Sequence, residues 1–143
     1  MCIRDRDRLF AALTERYAFA VPESLVQAQI DTRLERGLRA LAAQGMQTEQ
    51  MRKLDFARLR AAQRDGAVAE VKTNILLDRI AAEEEINISD EELDSELQLA
   101  ALQSREPLDT LRTRLTADGE LAKIREQMRR EKTASLLYER LPA

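Results

Sequence analysis

Six carboxylates crowd one short stretch of this chain: Glu83, Glu84 and Glu85, then Asp90, Glu91 and Glu92. Side chains of this type can hold a hard cation, but the spacing lacks the Asp-x-Asp-x-Asp-Gly rhythm of a calcium loop. A different chemistry accounts for the second triplet. Ser89 precedes it and Glu92 lies three residues on, which is the pattern of a capping box. The Ser hydroxyl accepts from the third helical amide, and the Glu reaches back to the Ser amide. Asp90, Glu91 and Glu92 then sit at the positive end of a helix dipole. The first triplet closes the preceding helix, where negative charge opposes the dipole and serves solubility alone. No metal and no cofactor are expected.

A basic run, Lys123, Arg125, Arg129, Arg130 and Lys132, could meet phosphate or RNA. Glu120, Glu126 and Glu131 are interleaved with it, so pairing within a solvated helix face is the preferred reading. No aromatic side chains alternate with these cations to stack on bases. Nucleophilic catalysis fares no better. The chain has no His, so Ser24, Ser89 and Ser104 lack an imidazole partner, and Cys2 is the lone cysteine. Nothing marks a Ser-Lys dyad. The chain is not expected to be an enzyme.

The elements that carry these groups are helical. Aromatics make up 3% of the 143 residues, and the formal net charge is −3 with both signs interspersed. That balance argues against nucleic acid and anionic membranes as partners, and no apolar run approaches the ~18 residues of a membrane span. Val68, Val71, Ile75, Leu76 and Ile80 recur every three or four residues, the spacing of one helix face. This helix reads to about Glu85. Ile86-Asn87-Ile88 then favours extended backbone before the Ser89 cap.

Upstream, Arg8 to Tyr17 reads as the tail of a helix. A long helix spans Pro22 to about Gln44, with Val26, Ile30, Leu34, Leu38 and Leu41 on one side and Gly45 as its stop. Thr48 is a candidate cap for a returning helix through Met51, Leu54, Phe56 and Leu59, which continues past Gly66 into the central helix. Helix, turn and helix make an antiparallel hairpin with a narrow stripe. Met46, Met51, Leu54 and Phe56 surround its tip. They serve either as local packing or as a soft apolar patch that repacks against many partners. Downstream of Ser89, the inner face is Leu93, Leu97 and Ala100 or Ala101. Pro107 opens a short helix bearing Leu108, Leu111 and Leu115. Asp118-Gly119 turns into a last helix, Glu120 to about Arg140, with Leu121, Ile124, Met128, Leu136 and Leu137 inward.

The order and spacing of these landmarks resemble the C-terminal, substrate-binding domain of trigger factor, a bacterial chaperone family, and the similar chaperone region of periplasmic SurA-like proteins. The landmarks are Val21-Pro22 with Leu25-Val26, Val71-Lys72 with Ile75-Leu76-Leu77, Ile80-Ala81, Glu84, and Ser89-Asp90-Glu91-Glu92-Leu93. Gly119-Glu120-Leu121 and Lys132 complete the set. The resemblance implies an all-α, elongated domain with two protruding helical-hairpin arms joined by a long central helix. Residues 22–64 would form arm 1, 65–88 the central helix and link, and 89–141 arm 2. It implies ATP-independent binding of unfolded or nascent polypeptides in the bacterial cytoplasm. Leu41, Met46, Met51, Leu54 and Phe56 on arm 1, and Leu108 and Leu111 on arm 2, are the peptide-contacting candidates. Ribosome docking and prolyl isomerisation would belong to upstream domains of a longer protein. The opening MCIRDRDR resembles translated adapter sequence, so residues 1–6 are expected to be non-native or disordered. Two alternatives stand beside this reading: a structural domain that buries its stripes in a homodimer, and a periplasmic chaperone module.

Overall fold

The computed structural model of the chain describes Arg8 and residues 20–140. The helix expected over Arg8 to Tyr17 lies outside the described residues apart from Arg8 itself, which is helical. Residues 1–6 and the Leu141-Pro142-Ala143 ending lie outside them too. Among the described residues there are six α-helices and no strand. They are α1 (Glu23–Ala43), α2 (Thr48–Arg52), α3 (Phe56–Glu83), α4 (Asp90–Ser104), α5 (Leu108–Ala117) and α6 (Glu120–Glu139). The fold is all-α.

Pro22 stands one position earlier than the sequence suggests, as the N-cap of α1 rather than its first residue. Its carbonyl accepts from the Leu25 and Val26 amides at 3.1 and 3.2 Å. The far end of α1 closes on Gly45, which has φ 95°. The Met46 amide donates to the Leu41 carbonyl at 3.1 Å, and the Gly45 amide to that of Ala42 at 3.0 Å. This pair of bonds is a Schellman motif, and it needs the left-handed conformation that glycine adopts without steric cost.

The returning helix is broken where the sequence pattern reads as continuous. Gln47, not Thr48, caps α2, sharing a capping box with Gln50. Helix then fails over Lys53-Leu54-Asp55. The Asp55 carboxylate accepts from the Arg58 amide at 3.2 Å, and its carbonyl from Leu59 at 3.0 Å. A short acidic side chain that bonds the backbone ahead of it starts a new helix rather than extending an old one. From Phe56 the chain then runs helically for 28 residues.

That length includes Gly66, whose presence in a helix interior costs about 1 kcal/mol relative to alanine. The Arg33 guanidinium explains it. A Cβ on Gly66 would lie 2.7 Å from one Arg33 nitrogen and 2.8 Å from its central carbon. Arg33 uses the opening to donate to Gln63 at 2.8 Å and to pair with Glu70. Beside it, Val26 and Ile30 of α1 are fully buried with Ala67 of α3, and Val21, Leu34 and Val68 pack around them. Burial of a side chain the size of Val26 or Ile30 contributes about 1.5–3 kcal/mol.

The chain divides into two units, Met1–Ile75 and Leu76–Ala143, with the boundary inside α3. The second unit begins with the end of α3, where Leu77 and Ala81 are buried. Helix stops at Glu83, two residues before the expected end, and Glu85 adopts φ 54°. The Ile86 amide donates back to Ala81 at 2.9 Å. Ser89 then caps α4 as the sequence indicates, with Ser89 Oγ accepting from the Glu92 amide at 3.1 Å and Glu92 Oε2 from the Ser89 amide at 2.8 Å. Leu93, Leu97 and Ala101 face inward. Ile88, Leu93 and Leu97 form a second core, covered by Leu108 and Leu115 of α5 and by Leu121, Ile124 and Met128 of α6. Farther along α6 the buried residues are small ones, Thr133 and Ala134, rather than the expected Leu136 and Leu137, which are half-buried. Arg130 grips Asp78 at 2.8 and 2.9 Å, and Arg140 lies 3.6 Å from Glu84, so this part of α6 runs beside the end of α3.

Glu85 and Arg105 are the non-glycine residues with positive φ among those described, at 54° and 55°. Each forgoes about 1 kcal/mol relative to a residue without a Cβ. Glu85→Gly and Arg105→Gly should each raise unfolding stability by about 0.5–1 kcal/mol, read as a higher urea midpoint at unchanged slope. A second expectation concerns pH. Arg64 donates to both Glu23 oxygens, at 2.6 and 2.8 Å. Together with Gln27 it holds the Glu23 carboxyl at about 2, against an ordinary 4.5. The folded state thus binds this proton more weakly than the unfolded state does. Its stabilising contribution is complete above pH 4.5 and is lost as pH falls toward 2. Glu23→Gln should flatten the fall in melting temperature across that window, and an unchanged slope would refute the assignment.

Candidate functional site

Among the described residues apolar surface gathers at two places, one in each unit, apart from the exposed Leu25 at the start of α1. In the first unit the turn after α1 sets Leu41 and Met46 next to one another in the Schellman motif. The short α2 then brings Met51, and the Asp55 cap brings Leu54 and Phe56. Leu41, Met46, Met51 and Leu54 are half-buried, and Phe56 is 40% exposed. None of the residues from Glu35 to Leu59 is buried. All five arm-1 candidates therefore keep apolar surface at the tip of the hairpin. Thioether and aliphatic side chains of this kind adapt their rotamers to a partner more readily than β-branched ones do.

The second surface lies on α4 and α5. Leu99 is 58% and Leu102 76% exposed on the side of α4 opposite Leu93, Leu97 and Ala101. Gln98, Ala101, Leu102, Glu106 and Leu108 line a shallow groove of about 330 Å³. Leu108 is half-buried, while Leu111 is only 4% exposed. Leu111 thus has almost no surface to offer a ligand, for a plain geometric reason. Pro107 caps α5, and the helix that follows turns the residue at the fourth position inward. Leu99 and Leu102 escaped sequence reasoning, although a signal was present. Plotted at 100° per residue, they fall on the face that the Leu93/Leu97/Ala101 stripe leaves outside.

The charged clusters resolve into structure. Among the described residues, no three His, Cys, Asp or Glu side chains converge as a metal ion requires. Asp90 pairs with Arg125 at 2.7 Å and Glu92 with Lys132 at 2.9 Å. Lys132 holds the Glu92 carboxyl below the usual carboxylate range, helped by the Ser89 amide. The basic run of α6 does not pair mainly within its own helix, as its interleaved acids suggested. Lys123 does so, with Glu120 at 3.2 Å. The others reach across to neighbouring segments. Arg129 Nε donates to the Ile86 carbonyl at 2.6 Å, Lys132 Nζ to that of Asn87 at 3.0 Å, and Arg125 to that of Ile88 at 2.6 Å. Three consecutive carbonyls of the link are thus each held by a cation. The sequence reading missed this because an extended link has no periodicity to match against the i, i+4, i+7 spacing of those cations.

With this geometry in place, the comparisons with known proteins are direct. The family described as the C-terminus of bacterial trigger factor protein matches residues 4–139. Trigger factor of Koribacter versatilis is 53% identical over 135 residues, covering 94% of this chain and 31% of that protein. Trigger factor of Solibacter usitatus is 36% identical over 135 residues, covering 94% and 32%. A solved structure of trigger factor domains from Thermotoga maritima superposes with a TM-score of 0.65 at 17% identity, covering 96% of this chain and 81% of that one, so it shares the fold. The chain belongs to the trigger factor C-terminus family. It spans about a third of the length of the curated relatives it matches.

The clamp on the link makes its own prediction. Arg129→Met keeps most of the side-chain volume but leaves the Ile86 carbonyl without its donor. A charge-assisted bond of this kind, partly buried, is worth about 1–3 kcal/mol. Urea unfolding should show a loss of that size, and a change under about 0.3 kcal/mol would place the link carbonyls in water instead.

Proposed function

We propose that this chain is a chaperone domain that binds unfolded or nascent polypeptides, without ATP and without catalysis, in the bacterial cytoplasm. The observation that carries the reading is the pair of apolar surfaces, at the hairpin tip and on α4, in a chain of the trigger factor family. Leu99 and Leu102 are more than half exposed on one helix face, and exposed apolar patches are the usual mark of an interaction surface. Among the described residues these apolar surfaces are shallow and distributed along the helices. Such surfaces suit weak, sequence-tolerant binding of extended chains. The binding residues are Leu41, Met46, Met51, Leu54 and Phe56 at the tip, and Leu99, Leu102 and Leu108 on α4 and α5. Among the described residues no helix is long and apolar enough to cross a membrane. Ribosome docking and prolyl isomerisation belong, in this reading, to other parts of a longer protein.

Dilution of a chemically denatured enzyme into increasing amounts of this chain tests the reading, with light scattering as the readout. Suppression of aggregation at near-stoichiometric amounts is expected. The combined variant Met46→Ser, Met51→Ser, Phe56→Ser should weaken it at unchanged helicity, and Leu99→Ser with Leu102→Ser should do so separately. Each exposed apolar contact removed should cost about 0.5–1 kcal/mol of client affinity. Full suppression by all of these variants would sink both surfaces as client sites. A mass of twice the monomer with no suppression would favour burial of the stripes in a homodimer instead.

A further inference from the structure

Among the described residues, the hairpin formed by α1 and α3 is anchored at one end only. Over Glu23 to Leu34, α1 carries both of its buried residues, Val26 and Ile30. All of the side-chain bonds it makes to α3 start there as well. Glu23 pairs with Arg64, Gln27 and Asp31 with Arg60, Gln29 with Glu70, and Arg33 with Gln63 and Glu70. Beyond Leu34 the picture changes. From Glu35 to Leu59 no described residue is buried. Side-chain bonds there are local: Glu35 with Arg39, and the caps at Gln47 and Asp55. A segment with few buried contacts and only local hydrogen bonds opens at lower free energy than the structure as a whole.

Gly37 lies three residues past the last anchored position, in the interior of α1. It has neither a positive φ nor any neighbour that would exclude a side chain, since a Cβ built there meets nothing within 4 Å. Gly66 and Gly45 have steric and conformational reasons to be glycine, and Gly37 has none. Its one physical effect is to lower the helix propensity of α1 where the anchoring ends.

We propose that Gly37 is a weak joint that lets the distal hairpin, residues 37–59, come away from its anchored base and offer its half-buried apolar side chains to a client. Leu38, Leu41, Met46, Met51, Leu54 and Leu59 are the side chains uncovered. The proposal deepens the client-binding reading of the tip and rests on it. A client that captures the opened tip must supply the free energy of opening, so a stiffer joint weakens its apparent affinity by the same factor.

The test uses two substitutions at exposed positions of α1, Gly37→Ala and Ala40→Gly, neither in the binding surface. Hydrogen exchange of the amides of residues 38–46 reads the opening, and binding of a permanently unfolded, fluorescently labelled polypeptide reads the affinity. Gly37→Ala should slow exchange about fivefold and weaken binding by up to the same factor, and Ala40→Gly should shift both the other way. Unchanged exchange in Gly37→Ala would show that Gly37 is not a weak joint. Slower exchange at unchanged affinity would show that opening does not precede binding. Either result overturns the proposal. The Met46, Met51 and Phe56 serine variant keeps the two readings separable. If it loses binding while Gly37→Ala does not, the tip binds clients and the joint is refuted. If it binds normally, the tip reading itself has failed.

Discussion

The extended link from Ile86 to Ile88 has no helix or sheet partner for its three carbonyls, and the second unit depends on how they are satisfied. Backbone oxygens withdrawn from water must be paired with something, and of these three residues Ile88 is buried, Ile86 half-buried and Asn87 exposed. Here the partners are guanidinium and ammonium groups from one face of α6. These bonds fix the direction in which the chain leaves α3, and so the position of the Ser89 cap and the axis of α4. The carboxylates that follow, Asp90 and Glu92, share the same cations. Backbone geometry and ion pairing are therefore one network. The small core of Ile88, Leu93 and Leu97 forms where that network sets it.

The first unit solves a different problem. Among the described residues its buried core is Val26, Ile30 and Ala67, with Val71 buried farther along α3 and a few half-buried neighbours. A row of arginines on α3 and α1 joins the two helices as well, with Arg60, Arg64 and Arg33 each paired to carboxylates or amides of the opposite helix. Exposed pairs of this type contribute little singly. Their value here is register, because each one specifies which turn of α1 faces which turn of α3. The tip's apolar residues stay outside the buried core and keep part of their surface.

Much of this was legible from the residues alone. The cap at Ser89 followed from four letters, and Gly45, Pro107 and Gly119 marked the ends of helices because each has a distinct backbone constraint. The stripes of α1 and α4 were visible as periodicity. On α3 the buried face is Ala67, Val71, Leu77 and Ala81, so of the expected Val68, Val71, Ile75, Leu76 and Ile80 only Val71 is buried and the others are half-buried. What periodicity could not show was the break at Asp55, where a side chain competes locally with the helix, or the left-handed turn at Glu85, where a non-glycine residue takes a conformation that sequence rules reserve for glycine. The exposed Leu99 and Leu102 were within reach of the same periodicity, since the stripe of Leu93, Leu97 and Ala101 leaves their side of α4 uncovered. Leu111 misled in the opposite direction, as an apolar residue on a short helix whose burial was settled by α5 lying between α4 and α6.

The acidity of α4 has a consequence for how the chain comes to be folded. The helix holds Asp90, Glu91, Glu92, Asp94 and Glu96 and not one basic residue. Its counter-charges arrive later in the sequence, as Arg112, Arg125 and Lys132. A polypeptide is made from its N-terminus. α4 is thus made, and emerges, before the cations that neutralise it and hold the link before it. The order of synthesis therefore delays the second unit until its final helix exists, whereas α1 and most of α3 can settle long before. Until α5 and α6 are made, α4 is an acidic helix waiting for its counter-charges.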